Sequence, residues 1–129
     1  MPPHATSMRV VIVDDEPDLS FLVRVVLEGA GYEVIEARDG IRALQRITSA
    51  LTHLVITDLM MPRMNGNVLI ECLRANPVTA AIPIVMLSSS PDPGAAADAF
   101  MSKPFDPEAL LRLVDQLTET ARAHEGMSS

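Results

Sequence analysis

Val55-Ile56-Thr57-Asp58-Leu59-Met60-Met61-Pro62-Arg63-Met64-Asn65-Gly66 decides how this chain is read. An apolar run ends on a carboxylate, a short loop with a proline follows, and an Asn-Gly pair opens another apolar segment. That order is a buried strand, a loop and a helix start. A carboxylate held at the end of a buried strand needs other polar groups around it, since an isolated buried charge is costly. The ends of the other apolar runs are where such groups can come from.

Working outward, Arg9-Val10-Val11-Ile12-Val13 is a β-branched run that stops on Asp14-Asp15, the pattern of a strand covered on both faces. Pro17 suits a first helical turn, and Leu19, Leu22, Val23, Val26 and Leu27 repeat with helical period until Gly29 and Gly31. Phe21 and Val25 widen that stripe; extra packing is preferred over a partner surface as the explanation. Tyr32 to Ala37 reads as a second strand, and Asp39-Gly40 opens a helix with Ala43, Leu44 and Ile47 on one face. After the strand Leu54–Thr57, which delivers Asp58, the helix from Gly66 is expected to bury Val68, Leu69, Cys72 and Leu73 before Asn76-Pro77.

Ile82 to Leu87 is a fourth strand ending on Ser88-Ser89-Ser90. The next stretch, Pro91 to Asp98, has two prolines and few apolar anchors, so at most a turn or two of helix fits. Ala99 to Ser102 is a short fifth strand closed by Lys103-Pro104, and Asp106 as N-cap with Pro107 starts a last helix on Leu110, Leu113, Val114 and Leu117. Strands alternating with helices imply an α/β fold, a doubly wound five-stranded parallel sheet with helices on both faces and a site outside the carboxyl ends of the strands.

A length of 129 residues fits one domain, taken as 8–118, with 1–7 a disordered leader and 119–129 a frayed C-terminal tail. No apolar run is long enough to span a membrane, and no secretory signal is recognisable. The single Cys72 excludes an internal disulfide and agrees with a cytoplasmic address. Ten basic against seventeen acidic side chains give a net charge of −7 without a basic cluster, which argues against nucleic acid as a partner.

In this architecture Asp14, Asp15, Asp58, Ser88 and Lys103 all stand at strand ends and become neighbours. Any one of them alone is most simply a turn, cap or surface residue; together they need another account. Crowded carboxylates repel unless a cation sits among them, and an all-oxygen donor set suits Mg²⁺. Lys103 adds a point charge for an anionic group and Ser88 a hydroxyl donor, a set suited to phosphoryl transfer onto Asp58.

These residues resemble the receiver domains of two-component response regulators. The resemblance covers roughly residues 8–118 and rests on four motifs in order: Val13-Asp14-Asp15-Glu16-Pro17, Asp58-Leu59-Met60-Met61-Pro62 with Asn65-Gly66, Ile82-Pro83-Ile84-Val85-Met86-Leu87-Ser88, and Lys103-Pro104-Phe105. It implies sheet order 2-1-3-4-5, Asp58 as phosphoacceptor, and a sensor histidine kinase or histidine phosphotransferase as donor. It also implies Mg²⁺ (Mn²⁺ as the alternative) held by Asp15, Asp58 and the Met60 carbonyl, with Asp14 assisting through water. Lys103 would pair with the phosphoryl oxygens across a cis Lys103-Pro104 bond. Ser88 and Phe100 match the hydroxyl and aromatic that switch together to signal to a downstream protein, and Met60 and Ser90 flank the path of hydrolytic water.

One departure stands out: the Ser88 to Lys103 interval is about two helical turns shorter than in the family. The fourth helix is therefore expected short or missing, with residues 91–97 a loop that orders on phosphorylation or binding, and the family's usual dimer is not carried over; a monomer or weak dimer is expected. Two other classes compete. An aspartate-nucleophile phosphohydrolase would carry a second acid two residues after the nucleophile, where this chain has Met60. A phosphorylation-independent adaptor would not need the acidic cluster and Lys103.

Overall fold

The computed structural model describes residues 8–60, 64–89 and 97–128, with side chains to Glu119. Five strands, β1 (Arg9–Val13), β2 (Glu33–Ala37), β3 (Leu54–Asp58), β4 (Ile84–Ser88) and β5 (Ala99–Ser102), form one parallel sheet in the order β2-β1-β3-β4-β5. Among the described residues there are four helices, α1 (Pro17–Gly29), α2 (Gly40–Ser49), α3 (Gly66–Ala75) and α4 (Pro107–Ser128). The leader 1–7 and residues 90–96, which hold most of the shortened segment and Ser90, lie outside the described residues. α4 continues through the stretch expected to fray as far as Ser128. No described helix is long and apolar enough to cross a membrane.

The strands are apolar without alternation because both faces of the sheet are covered. Val10, Ile12, Leu54, Ile56, Val85 and Leu87 pack against Val23 and Leu27 of α1 and Leu110 and Val114 of α4. Their neighbours Val11, Val13, Val55, Ile84 and Met86 face Ala43 and Ile47 of α2 and Leu69, Ile70 and Leu73 of α3. The period of two along each strand thus sends successive side chains into two separate cores.

Local chemistry sets the helix ends. Asp39 and Asn65 cap α2 and α3 by accepting from the Arg42 and Val68 amides at 2.8 and 3.0 Å. Asp106 Oδ1 accepts from the Glu108 amide at 3.2 Å at the start of α4. Past α1 the chain turns through Gly31, whose φ of +99° is one that a side chain would resist.

Two helix stripes differ from expectation. Phe21 and Val25 are 66% and 51% exposed, and Leu22 is also exposed, so extra packing does not account for them. Each of Phe21 and Val25 lies two residues from the buried Val23, hence about 200° round the helix from it, and among the described residues α1 is covered on one side only. In α3, Ile70 turns inward while Val68 is exposed and Cys72 half-buried, a rotation of the apolar stripe.

A polar clamp holds the start of β5 to its neighbours. The Asp98 amide donates to the Ile84 carbonyl at 2.9 Å, and the Ile84 amide donates back to Asp98 Oδ2 at 2.7 Å. Arg74, from α3, donates to the same Oδ2 at 2.6 Å and to the Ala80 and Ile82 carbonyls, each at 2.8 Å. This fixes β5 in a register that sets Ser102 beside Ser88.

Candidate functional site

At the carboxyl end of the sheet, β1, β3 and β5 bring together the residues that follow them or close them. Asp58, the last residue of β3, is 6% exposed, and Asp14, directly after β1, is 4% exposed. Parallel pairing puts them at one level: the Asp14 amide is tied to the Ala37 carbonyl at 3.1 Å, and the Leu59 amide to the Leu87 carbonyl at 3.2 Å. Lys103, directly after β5, is held to β4 by its amide, which donates to the Ser88 carbonyl at 2.9 Å, and its bond to Pro104 is cis.

The Lys103 ammonium is the meeting point. Its Nζ lies 3.1 Å from Asp58 Oδ2, 3.6 Å from Asp14 Oδ2 and 3.0 Å from Glu16 Oε1. Burial opposes its charge, but the Glu16 hydrogen bond and the Asp14 and Asp58 charges outweigh that, so its pKa stands above the ordinary lysine value. Burial pushes the Asp14 carboxyl up to about 6, against the pull of the Glu16 amide and the Lys103 charge. That amide donates to Asp14 Oδ1 at 2.7 Å, whereas Asp14 Oδ2 is buried with no hydrogen-bond partner.

An orphaned, buried carboxylate oxygen facing other carboxylates fits a cation. Asp14, Glu16 and Asp58 each offer an oxygen within 4.8 Å of the others, all hard donors of the kind Mg²⁺ takes. Asp15, expected to reach a metal directly, is exposed and stands outside this group of three; it lines a polar pocket with Arg38, Arg42 and Arg46. Met60 is 72% exposed, and its amide, 3.4 Å from Asp58 Oδ1, holds the start of the loop to the carboxylate.

Two further expected residues sit behind the carboxylates. Ser88 ends β4 and is buried, and Phe100, half-buried on β5, is paired in register with Met86 two residues earlier on β4. Two more residues shape the site: Glu16, which the sequence places only within a motif, and Gly66, which it marks only as a helix opener. Glu16's only sequence signal is its place after Asp14-Asp15. Gly66 approaches so closely that a Cβ there would lie 2.5 Å from the Asp58 carbonyl oxygen; its amide donates to the Leu59 carbonyl at 2.9 Å. The Asn-Gly pair thus folds the loop back onto the end of β3.

Comparison with known proteins agrees with this geometry. Residues 10–115 match the family model of the response regulator receiver domain. The chain is 36% identical over 133 aligned positions to the DNA-binding dual master transcriptional regulator RpaA of Synechocystis sp., covering 91% of this chain and 54% of that protein. It is 35% identical to the DNA-binding response regulator MtrA of Mycolicibacterium smegmatis, covering 82% and 48%. The chain therefore spans about half the length of these relatives. Among solved structures, the chemotaxis response regulator CheY4 of Vibrio cholerae superimposes with a TM-score of 0.81 at 32% identity, over 87% of this chain and 99% of that one. A putative response regulator from Chloroflexus aurantiacus gives 0.84 at 32% identity, over 88% and 99%. Sheet order, the strand-end carboxylates and lysine, and these matches place the chain in one family: it is a response regulator receiver domain.

Proposed function

We propose that Asp58 is the phosphoacceptor and that a protein phosphohistidine is its donor. The observation that carries this reading is the Lys103 ammonium 3.1 Å from Asp58 Oδ2, beside the orphaned Asp14 oxygen. An Asp58 carboxylate oxygen attacks phosphorus, the P–N bond to the donor imidazole breaks, and the imidazole leaves with the electron pair. Lys103 donates hydrogen bonds to the phosphoryl oxygens, which hold the group in line. Asp14 and Asp58, with Asp15 and the Met60 carbonyl at the site's mouth, would hold Mg²⁺, or Mn²⁺ as the alternative, which would offset the charge on the phosphoryl oxygens.

Transfer replaces one carboxylate charge with a bulkier dianion. Ser88, at the end of the neighbouring strand, supplies a hydroxyl that turns toward the new oxygens. The space it leaves admits the Phe100 ring, and the β4–β5 surface read by a downstream protein changes. Exposed Phe21, Leu22 and Val25 lie on the helix that starts at the site, and Leu22 shares a cleft with Glu16, Lys103 and Phe105. That apolar rim suits the phosphodonor protein. DNA binding belongs to the named relatives, and a net charge of −7 makes a protein target the fitting one for this domain.

Incubation with Mg²⁺ and either a small phosphodonor or a phosphohistidine protein should leave one acid-stable, base-labile phosphate that Asp58→Asn abolishes. Label that survives in Asp58→Asn, or no label with any donor, refutes the assignment.

A further inference from the structure

We propose that Glu16 is a positioning residue that restrains Lys103 in the unphosphorylated protein, so that phosphoryl transfer to Asp58 competes with the Glu16–Lys103 pair. This rests on Asp58 being the phosphoacceptor. An ammonium has three N–H donors, and Lys103 has three carboxylates within ion-pair distance: Glu16 at 3.0 Å, Asp58 at 3.1 Å and Asp14 at 3.6 Å. Glu16 and Asp58 are at hydrogen-bond distance, while Asp14 Oδ2 is held by charge alone. A phosphoryl group on Asp58 draws the ammonium toward its own oxygens, and Glu16 competes with it for that charge.

The three are not equally able to move. The Asp14 and Asp58 side chains are 2% and 7% exposed and sit at the ends of paired strands, whereas the Glu16 side chain is 62% exposed. Glu16 occupies the N-cap position of α1 yet makes no capping hydrogen bond through its side chain, so releasing Lys103 costs the helix nothing. Its backbone stays anchored meanwhile, the amide on Asp14 Oδ1 at 2.7 Å and the carbonyl accepting from the Ser20 amide at 3.1 Å. Glu16 can therefore swing out without disturbing either the buried aspartate or the helix start. Its charge also opposes the incoming dianion, so the resting pair and the phosphorylated state disfavour one another.

An exposed ion pair is weak, so the restraint sets a rate and does not block the reaction; its removal is expected to raise the phosphorylation rate about two- to fivefold. The test follows the rate of Asp58 labelling by acetyl phosphate in saturating Mg²⁺ for the wild type, Glu16→Gln and Glu16→Asp, with the Lys103 side-chain NMR signal recorded beforehand. Glu16→Asp keeps the charge but withdraws it by one methylene. Both variants should label faster than wild type, both should shift the Lys103 signal, and the rate difference should shrink in 1 M salt, where screening acts within about 3 Å.

An unchanged or slower rate in Glu16→Gln, with the wild type labelling normally, overturns this proposal alone. Acceleration in Glu16→Gln but not in Glu16→Asp also overturns it, since diffuse charge and not the pair would then be responsible. Absence of label in every protein, wild type included, overturns the phosphoacceptor assignment and this proposal with it.

Discussion

Replacing Lys103 by glutamine should destabilise the metal-free protein more at pH 8 than at pH 5. The side chain is 14% exposed and lies 3.1 and 3.6 Å from two nearly buried carboxylates. At an effective dielectric of about 20, each attraction is about 5 kcal/mol before desolvation of the lysine is subtracted. Breaking buried pairs of this kind costs roughly 3–5 kcal/mol, and the lower end applies here because water reaches one side of the ammonium. Asp14 supplies the pH dependence. Its folded-state pKa is about 6 against an ordinary 3.8. A carboxyl raised on folding contributes stability that is full below the unfolded value and is lost as pH rises through the folded one, a change on the order of 3 kcal/mol over this window. At pH 5 most Asp14 is neutral and needs no lysine, so the cost of Lys103→Gln should fall by about 1–2 kcal/mol relative to pH 8. Removing Lys103 also pushes Asp14 higher still, so the variant's loss should extend to higher pH than the wild type's. Urea unfolding of both proteins at the two pH values, in chelator, measures the difference. Equal losses at pH 5 and pH 8 would refute the view that Asp14 and Lys103 are coupled through charge.

Gly66→Ala should lose about 1–3 kcal/mol and slow labelling of Asp58, because the added methyl meets backbone at 2.5 Å and backbone cannot rotate aside. Gly29→Ala, where a Cβ would meet nothing within 4 Å, is the control and should be neutral or gain up to about 1 kcal/mol; thermal unfolding of the pair decides. Asp98→Ala removes the acceptor of both the Ile84 amide and Arg74, and should cost about 2–3 kcal/mol in urea unfolding. Asp98→Asn keeps an acceptor for the amide and should cost about 1 kcal/mol or less; equal losses in the two would show that the clamp holds β5 by charge alone.

Much of the site was legible before any coordinates. Asp14, Asp58 and Lys103 each close an apolar run, and in a parallel sheet the carboxyl ends of the strands lie at one edge, so residue type and position along the chain suffice to gather them. Asp39 and Asn65 were legible as caps or helix openers for the same local reason. For the segment after β4 the expectation rests on Pro91 and Pro93, which oppose a full crossover helix; of that segment only Ala97 and Asp98 are among the described residues, and neither is helical.

Other features depended on which atoms the fold brings within reach. Glu16 carries the same acidic signal as Asp15, yet one lies 3.0 Å from Lys103 and the other lines a pocket beside three arginines. Their directions are set by how β1 ends and α1 begins, over two or three backbone torsions that residue type does not specify. Phe21 and Val25 are apolar at helical spacing, but spacing does not say whether a second covering surface exists, and among the described residues none covers that side of α1. Arg74 and Asp98 are twenty-four residues apart and meet only because α3 packs beside the β4–β5 edge.

The division has a physical basis. Periodicity, caps and strand-ending charges are properties of neighbours along the chain, and they suffice for the α/β class and for naming Asp58 and Lys103 as candidates at one end of the sheet. Which carboxylates share Lys103, which oxygen of Asp14 is left without a donor, and how closely Gly66 presses on Asp58 are distances of a few ångströms between residues remote in sequence. Electrostatic and steric energies change steeply over such distances, so these had to wait for the folded chain.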